Sequence, residues 1–340
     1  MKTSDFDYNL PKSYIAQHPI VPRDHSRIMI VNRQNRTIRH DYFYHLPQYL
    51  TKNDVLVFNE TKVIPARLFG KKETGGKVEV ILIKKRDQNL WECLTKPGIK
   101  NNQKIIFSNK ISARAAKIDK DGHRYLEFSG HPSLDNEIFK LGVLPIPPYI
   151  TKPLDSNKQY QTVYAKNTGS IAAPTAGFHF TKRLLDKLRQ QGIHDEYLTL
   201  HVGLGTFLPV KSLRIENHKM HSETFNIDEN TFNRLIEYKQ QQKNIVAVGT
   251  TTTRTLESVF GNNEEISKDP TISGETNLFI YPGYRFRFVD KIITNFHLPQ
   301  STLLMLVSAF ADRELIMEAY QEAIRKKYRF YSFGDAMLIL

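Results

Sequence analysis

The feature that most limits what this chain can fold into is a change of hydrophobic period near residue 64 and again near residue 150. Between those points lie short segments that alternate apolar and polar residues: KVEVILIKK, WECLTK, QKIIFS, ISARAAKI and RYLEFS. A period of two turns one face of a strand to a core and the other to solvent. The segments are rich in branched and aromatic residues, and TGG, KPG, NN, KDG and SGHP separate them with turn-forming residues. Many short strands at that spacing predict a small antiparallel barrel or sandwich. The proline-rich LPIPPYITKP that follows suits a linker.

On either side the texture is different. DVLVFNET (54–61) reads as a buried strand ending in polar residues. Beyond residue 155 the order becomes strand, polar loop, helix. EYLTLHV (196–202), NIVAVGT (244–250) and DKIITNF (290–296) read as strands, and STLLMLVSAF as an apolar helix. KRLLDKLRQQG carries its leucines on one helical face, with Thr181 as N-cap and Gly192 at its end. The expected fold class is α/β: a larger α/β domain with an inserted small antiparallel β-barrel domain. The α/β domain is discontinuous, residues 1–63 and 151–340, and the insert spans 64–150.

A chain of 340 residues can support two such cores. It holds no run of about 18 apolar residues, so no membrane span is expected. The opening MKTSDFDYNLPKSY lacks the apolar stretch of a signal peptide, which predicts a cytoplasmic protein. The single cysteine, Cys93, excludes an intramolecular disulfide, and its place after Trp91 in an alternating segment predicts a buried thiol. A net charge of +13 makes a polyanion partner plausible, nucleic acid first, with a solvated basic surface as the alternative.

In α/β sheets, ligands bind outside the carboxyl ends of the strands, and three polar loops fall there. After EYLTLHV comes Gly203, then Leu204, Gly205 and Thr206; after NIVAV come Gly249, Thr250 to Thr253 and Arg254; after KIITNF comes His297, with Ser301 or Thr302 at the next helix start. Four consecutive threonines are poor helix formers. They either tie off a strand end or cap a helix N-terminus where amides and hydroxyls hold an anion. Arg254 would then add a bidentate contact. Glu257, one turn beyond Thr253, either faces such a site or pairs with Arg254. GLG is not a nucleotide fingerprint, because Pro209 and a polar run follow it instead of a helix. No histidine spacing matches a zinc site, so no metal is expected. His179, His201 and His297 stand nearest the loops and are the candidates for proton transfer. YRFRF (284–288) reads as a strand with one solvated face, with RNA stacking as the alternative.

The longer motifs resemble the S-adenosylmethionine:tRNA ribosyltransferase-isomerase family of queuosine biosynthesis. They run in order from residue 5 to the C-terminus: FDYNLP, RDHSR, VFNETKVIPARLFG, LPIPPYI, GSIAAPTAGFHFT, LHVGLGTFLPV, HKMHSE, VGTTTTRTLES, ITNFHLPQSTLLMLVSAF and YRFYSFGDAMLI among them. Departures are small: Leu204 for alanine, Phe178 for leucine, Glu60 for aspartate and Lys62 for arginine. The resemblance implies an α/β fold with a β-barrel insertion. It also implies transfer and isomerisation of the ribosyl part of S-adenosylmethionine onto 7-aminomethyl-7-deazaguanine at the tRNA wobble position. The products are epoxyqueuosine-tRNA, adenine and methionine; S-adenosylmethionine is a consumed co-substrate, and neither prosthetic group nor metal is needed.

On that resemblance, Gly203, Gly205, Thr206, Thr250, Thr251 and Arg254 would hold the adenosyl and methionine parts. His179, His201, His297 or Glu257 would move the protons. The basic surplus would meet the tRNA through Lys96, Lys100, Lys104 and Arg114 of the insert and Arg325, Lys326 and Lys327 near the C-terminus. Two other classes compete: an S-adenosylmethionine-dependent RNA methyltransferase and a non-catalytic RNA-binding protein.

Overall fold

The run DVLVFN is buried at all six positions, and it forms an interior strand of a nine-stranded sheet. The computed structural model describes residues 1–203, 210, 212–261 and 272–340. These divide into two units: residues 1–62, 147–167 and 173–340 in the first, 63–146 and 168–172 in the second.

Along the chain come β1 (Arg27–Asn32), β2 (Thr37–Tyr42), β3 (Asp54–Asn59) and the short β4 (Thr61–Val63). Six strands follow: β5 (Arg67–Lys72), β6 (Lys77–Lys85), β7 (Leu90–Lys96), β8 (Lys104–Ile106), β9 (Ser112–Ile118) and β10 (Arg124–Ser129). Next are α1 (Leu134–Leu141), β11 (Asn167–Ser170), α2 (Lys182–Gln190), β12 (His194–Leu200) and β13 (Glu223–Asn226). The chain ends through α3 (Glu229–Gln240), β14 (Asn244–Val248), α4 (Thr250–Phe260), β15 (Ser273–Thr276), β16 (Lys291–Asn295), α5 (Thr302–Ala311), α6 (Arg313–Arg325) and β17 (Ala336–Ile339).

The large sheet has the order β15-β13-β12-β3-β14-β16-β17-β1-β2 among the described residues. β12, β3, β14 and β16 run parallel. β17 is antiparallel to β16, and β13 is antiparallel to β12. One rim of the sheet therefore gathers the carboxyl ends of four strands and the amino ends of β17 and β13. β1 is parallel to β17 and begins at the same rim. Alternate residues of the strands, Ile28, Ile30, Leu56, Phe58, Val246, Val248, Ile293 and Leu338, pack with Phe180 and Leu184, Leu185 and Leu188 of α2. Each such leucine contributes about 1.5–3 kcal/mol through burial. Thr181 caps α2, its hydroxyl accepting the Leu184 N–H at 3.2 Å. Gly192, with φ +77°, ends it in a left-handed turn.

The second unit is a closed antiparallel barrel, β10-β7-β6-β5-β8-β9. Its alternation is as the sequence implies: Val78, Val80, Leu82, Ala113, Ala115, Leu126 and Phe128 are buried. Cys93 lies among the buried residues as a free thiol, and burial pushes its pKa up.

YRFRF is a correction. Residues 284–288 form irregular backbone with a bend at Arg287 and Phe288, not a strand. The carboxylate of Glu257 takes the N–H groups of Arg287, Phe288 and Val289 that a sheet would otherwise use.

Candidate active site

The rim is built from polar residues that the strands deliver. On β3, the Asn59 side chain locks two neighbouring strand ends together. Its amide donates to the Leu200 carbonyl at 3.0 Å, and its oxygen accepts the Leu200 N–H at 3.0 Å and the Thr61 N–H at 3.1 Å. That places Thr61 beside the residue after β12: Thr61 Oγ1 and His201 Nδ1 are 2.9 Å apart. His201 is partly exposed, and its Nε2 has no partner among the described residues. Burial holds its pKa below the ordinary value, so the ring is neutral at neutral pH.

From the end of β14 the chain turns at Gly249, whose φ of +95° belongs to glycine. A Cβ placed there would stand 3.7 Å from both Ala176 Cβ and Thr251 Oγ1. Gly249 is itself the N-cap of α4 and offers no capping side chain, so the expectation that a threonine caps this helix is corrected. The first bond of the helix runs from Thr253 N–H to the Gly249 carbonyl at 3.1 Å. The amides of Thr250, Thr251 and Thr252 precede it and carry the positive end of the helix dipole.

The four threonines divide into two pairs. Thr252 and Thr253 donate their hydroxyls back to the Val248 and Gly249 carbonyls at 2.8 and 3.1 Å, which suits buried hydroxyls inside a helix. The Thr250 and Thr251 hydroxyls make no hydrogen bond to the described residues. Bare amides and two available hydroxyls at a helix start are an anion site in chemical character.

Arg254, one turn on from Thr250, is 4 % exposed. Its Nε donates to the Leu278 carbonyl at 2.9 Å and its Nη1 is ion-paired with Glu223. Its Nη2 is buried without a partner among the described residues. The bidentate contact expected of Arg254 is therefore reduced to one free nitrogen. Glu223, equally buried, also accepts the Gly203 N–H at 3.0 Å. Sequence reasoning missed Glu223. It sits in HKMHSE, a motif carrying the resemblance, but the polar run gave no sign that it opens a strand.

Glu257 does not pair with Arg254. It is fully buried, and beyond the three amides it accepts the Tyr284 hydroxyl at 3.1 Å. Four donors leave its carboxylate as the anchor of the 284–289 segment.

His179 and His297 are both buried at the rim. His179 Nδ1 lies 2.6 Å from Ser26 Oγ, and its Nε2 lies 3.0 Å from the Asn295 amide nitrogen, whose oxygen accepts the Thr175 hydroxyl at 2.9 Å. His297 Nε2 lies 3.0 Å from Thr294 Oγ1, and its Nδ1 3.3 Å from the Tyr320 hydroxyl. Burial pushes both rings down to about pKa 3, with Arg23 and Arg329 adding to the shift of His179. With both nitrogens of each engaged, these rings shape the rim. Among the described residues, His201 alone of the three presents a nitrogen without a partner.

Gly203 lies at the rim, and a Cβ placed on it would meet nothing within 4 Å. Leu204, Gly205 and Thr206 lie outside the described residues. Lys96 and Lys100 belong to the barrel unit, Lys96 ending β7 and Lys100 in the loop after it. Arg325 ends α6, paired with Glu322, and Lys326 follows it in the first unit. Among the described residues, one group has metal-ligand spacing: Glu92, Asp119 and His123 in the barrel. His123 Nδ1 stands 2.9 Å from Glu92, and Arg86 is ion-paired with the same carboxylate.

Compared with known proteins, residues 3–339 match the family model described as queuosine biosynthesis protein. The chain belongs to that family. Members similar to it along their whole length include the S-adenosylmethionine:tRNA ribosyltransferase-isomerases of Thermosipho melanesiensis, 50 % identical over 341 residues, and Halothermothrix orenii, 49 % identical over 344; both alignments cover 100 % of each chain. A solved family structure, S-adenosylmethionine tRNA ribosyltransferase from Thermotoga maritima, is 38 % identical with a TM-score of 0.58. It covers 99 % of this chain and 100 % of its own.

Proposed function

We propose that this protein transfers and isomerises the ribosyl moiety of S-adenosylmethionine onto 7-aminomethyl-7-deazaguanine at the wobble position of tRNA. The products are epoxyqueuosine-tRNA, adenine and methionine. The observation that carries the reading is identity of about one half with enzymes of that name over 100 % of both chains. The composition of the rim supports it.

The sulfonium of S-adenosylmethionine acidifies the adjacent ribose carbon, so a base must take a proton there, and adenine must leave. In this account His201 is the base: neutral, oriented through Nδ1 by Thr61, with Nε2 free. The start of α4, with Thr250, Thr251 and Arg254 Nη2, receives the methionine carboxylate. Glu223 positions Arg254 and Gly203 together, while Gly205 and Thr206 are assigned to the adenosyl part on the resemblance alone. His179 and His297 position the rim, and Glu257 holds the 284–289 segment. The barrel, 64–150, is the inserted domain, and Lys96, Lys100, Arg325 and Lys326 are offered as phosphate contacts. S-adenosylmethionine is consumed, no prosthetic group or metal takes part, and the reaction belongs in the cytoplasm.

Isotope transfer tests the reading. With S-adenosylmethionine labelled in its ribose carbons, the label enters the modified nucleoside of tRNA. With label in the methyl group alone, none does. Methyl label in the RNA would transfer the case to a methyltransferase, and binding without transfer would leave an RNA-binding protein.

A further inference from the structure

The outer wall of the barrel holds a groove of about 940 Å³ that the candidate active site does not use. The strand register assembles it. Phe69 and Lys71 alternate along β5 and stand opposite Glu79 and Lys77 of β6. Ile106 of β8 flanks Lys71 on one side, and Lys96 of β7 flanks Glu79 on the other. The residues between them, Leu68, Val78, Val80 and Ile105, are buried in the barrel, so these six face out.

Two properties of this wall are unusual for a solvated face. Phe69 is 61 % exposed and Ile106 42 %, although each could have been polar at no cost to the core. The charges around them are unbalanced as well. Glu79 is ion-paired with Arg67 at 3.1 Å. The ammonium groups of Lys71, Lys77 and Lys96 have no ion-pair partner among the described residues. An exposed aromatic ringed by free lysines on a small barrel is the arrangement that binds unpaired nucleotides. The ring stacks on a base, and the lysines meet the backbone phosphates on either side.

We propose that this groove binds unpaired nucleotides of the tRNA substrate, with Phe69 stacked on a base and Lys71, Lys77 and Lys96 on phosphates. The inference rests on the tRNA reading above but not on the reaction. Phe69 lies outside the core, so its substitution leaves the barrel interior intact.

Binding of an anticodon-arm RNA to the full chain, without S-adenosylmethionine, tests it. Phe69→Ala is expected to weaken binding about tenfold, with Phe69→Trp restoring it. Lys71→Ala with Lys77→Ala is expected to lower the slope of log K against log salt by about 1.4, two single-strand phosphate contacts. In turnover, the Phe69→Ala effect falls on the KM for tRNA and not on that for S-adenosylmethionine. Unchanged RNA affinity in both variants overturns the proposal. So does a tryptophan variant as weak as the alanine one, or stronger competition by a polyglutamate peptide than by RNA of equal charge, which would assign the groove to an acidic protein segment. If the wild-type chain releases no adenine yet Phe69→Ala loses RNA affinity, the groove stands and the reaction falls.

Discussion

Glu223 joins Arg254 to Gly203: one carboxylate oxygen is ion-paired with the guanidinium, and the other accepts the Gly203 N–H at 3.0 Å. A residue from the start of β13 thus ties the helix after β14 to the loop after β12. Glu223→Ala removes one partner of a buried ion pair, a change that costs about 3–5 kcal/mol. Thermal melting should show a drop of several degrees. The KM for S-adenosylmethionine should rise in Glu223→Gln even where the fold survives.

Arg254→Lys keeps the charge opposite Glu223 but forfeits the planar fork, and with it the bond to the Leu278 carbonyl and the free Nη2. Losing a charged hydrogen bond is worth about 1.5–3 kcal/mol. The KM for S-adenosylmethionine should therefore rise roughly 10- to 100-fold, with a smaller change in kcat, in steady-state kinetics. Near-normal kinetics would remove Arg254 from the site.

The threonine pairs separate binding from folding. Thr250→Val and Thr251→Val remove hydroxyls that serve no partner among the described residues, so they should weaken S-adenosylmethionine binding by calorimetry while leaving the melting temperature nearly unchanged. Thr252→Val removes a hydroxyl bonded to the Val248 carbonyl. It should shift stability by about 1 kcal/mol and leave affinity alone.

Acid should destabilise the protein through His179 and His297. Folded, both stay neutral down to about pH 3; unfolded, both take a proton near 6.5. Below 6.5 the unfolded chain binds more protons, so their contribution is full above 6.5 and is lost as pH falls towards 3. Each ring contributes a slope of about 1.4 kcal/mol per pH unit in that window. His297→Gln should remove one such share, read as a shallower dependence of denaturant midpoint on pH between 4 and 6.

How far the sequence reveals this depends on how locally each residue acts. β3 and β14 hold contiguous apolar runs, β12 and β16 shorter ones ending in polar residues, and the barrel strands alternate, so the hydrophobic pattern finds them. β1 and β17 are missed because they pair with each other across some 300 residues; β2, hairpinned to β1, is missed because it is a largely exposed edge strand, TIRHDY, with no apolar run. The rim loops follow from the strand ends, but roles within them do not. Helical spacing places Glu257 one turn from Thr253, yet its role is decided by amides of residues 287–289, thirty positions on. Glu223 and Arg254 meet only through the sheet order. Phe69 lay inside a motif of the resemblance, and only the register shows that it faces out.

Product analysis reads the ribosyl transfer itself. The purified protein is incubated with S-adenosylmethionine and tRNA bearing 7-aminomethyl-7-deazaguanine, and the small molecules are separated by chromatography. Free adenine and methionine are expected in equal amounts, dependent on the modified tRNA and lost in His201→Ala. S-adenosylhomocysteine in their place, or no turnover with intact tRNA binding, would contradict ribosyl transfer.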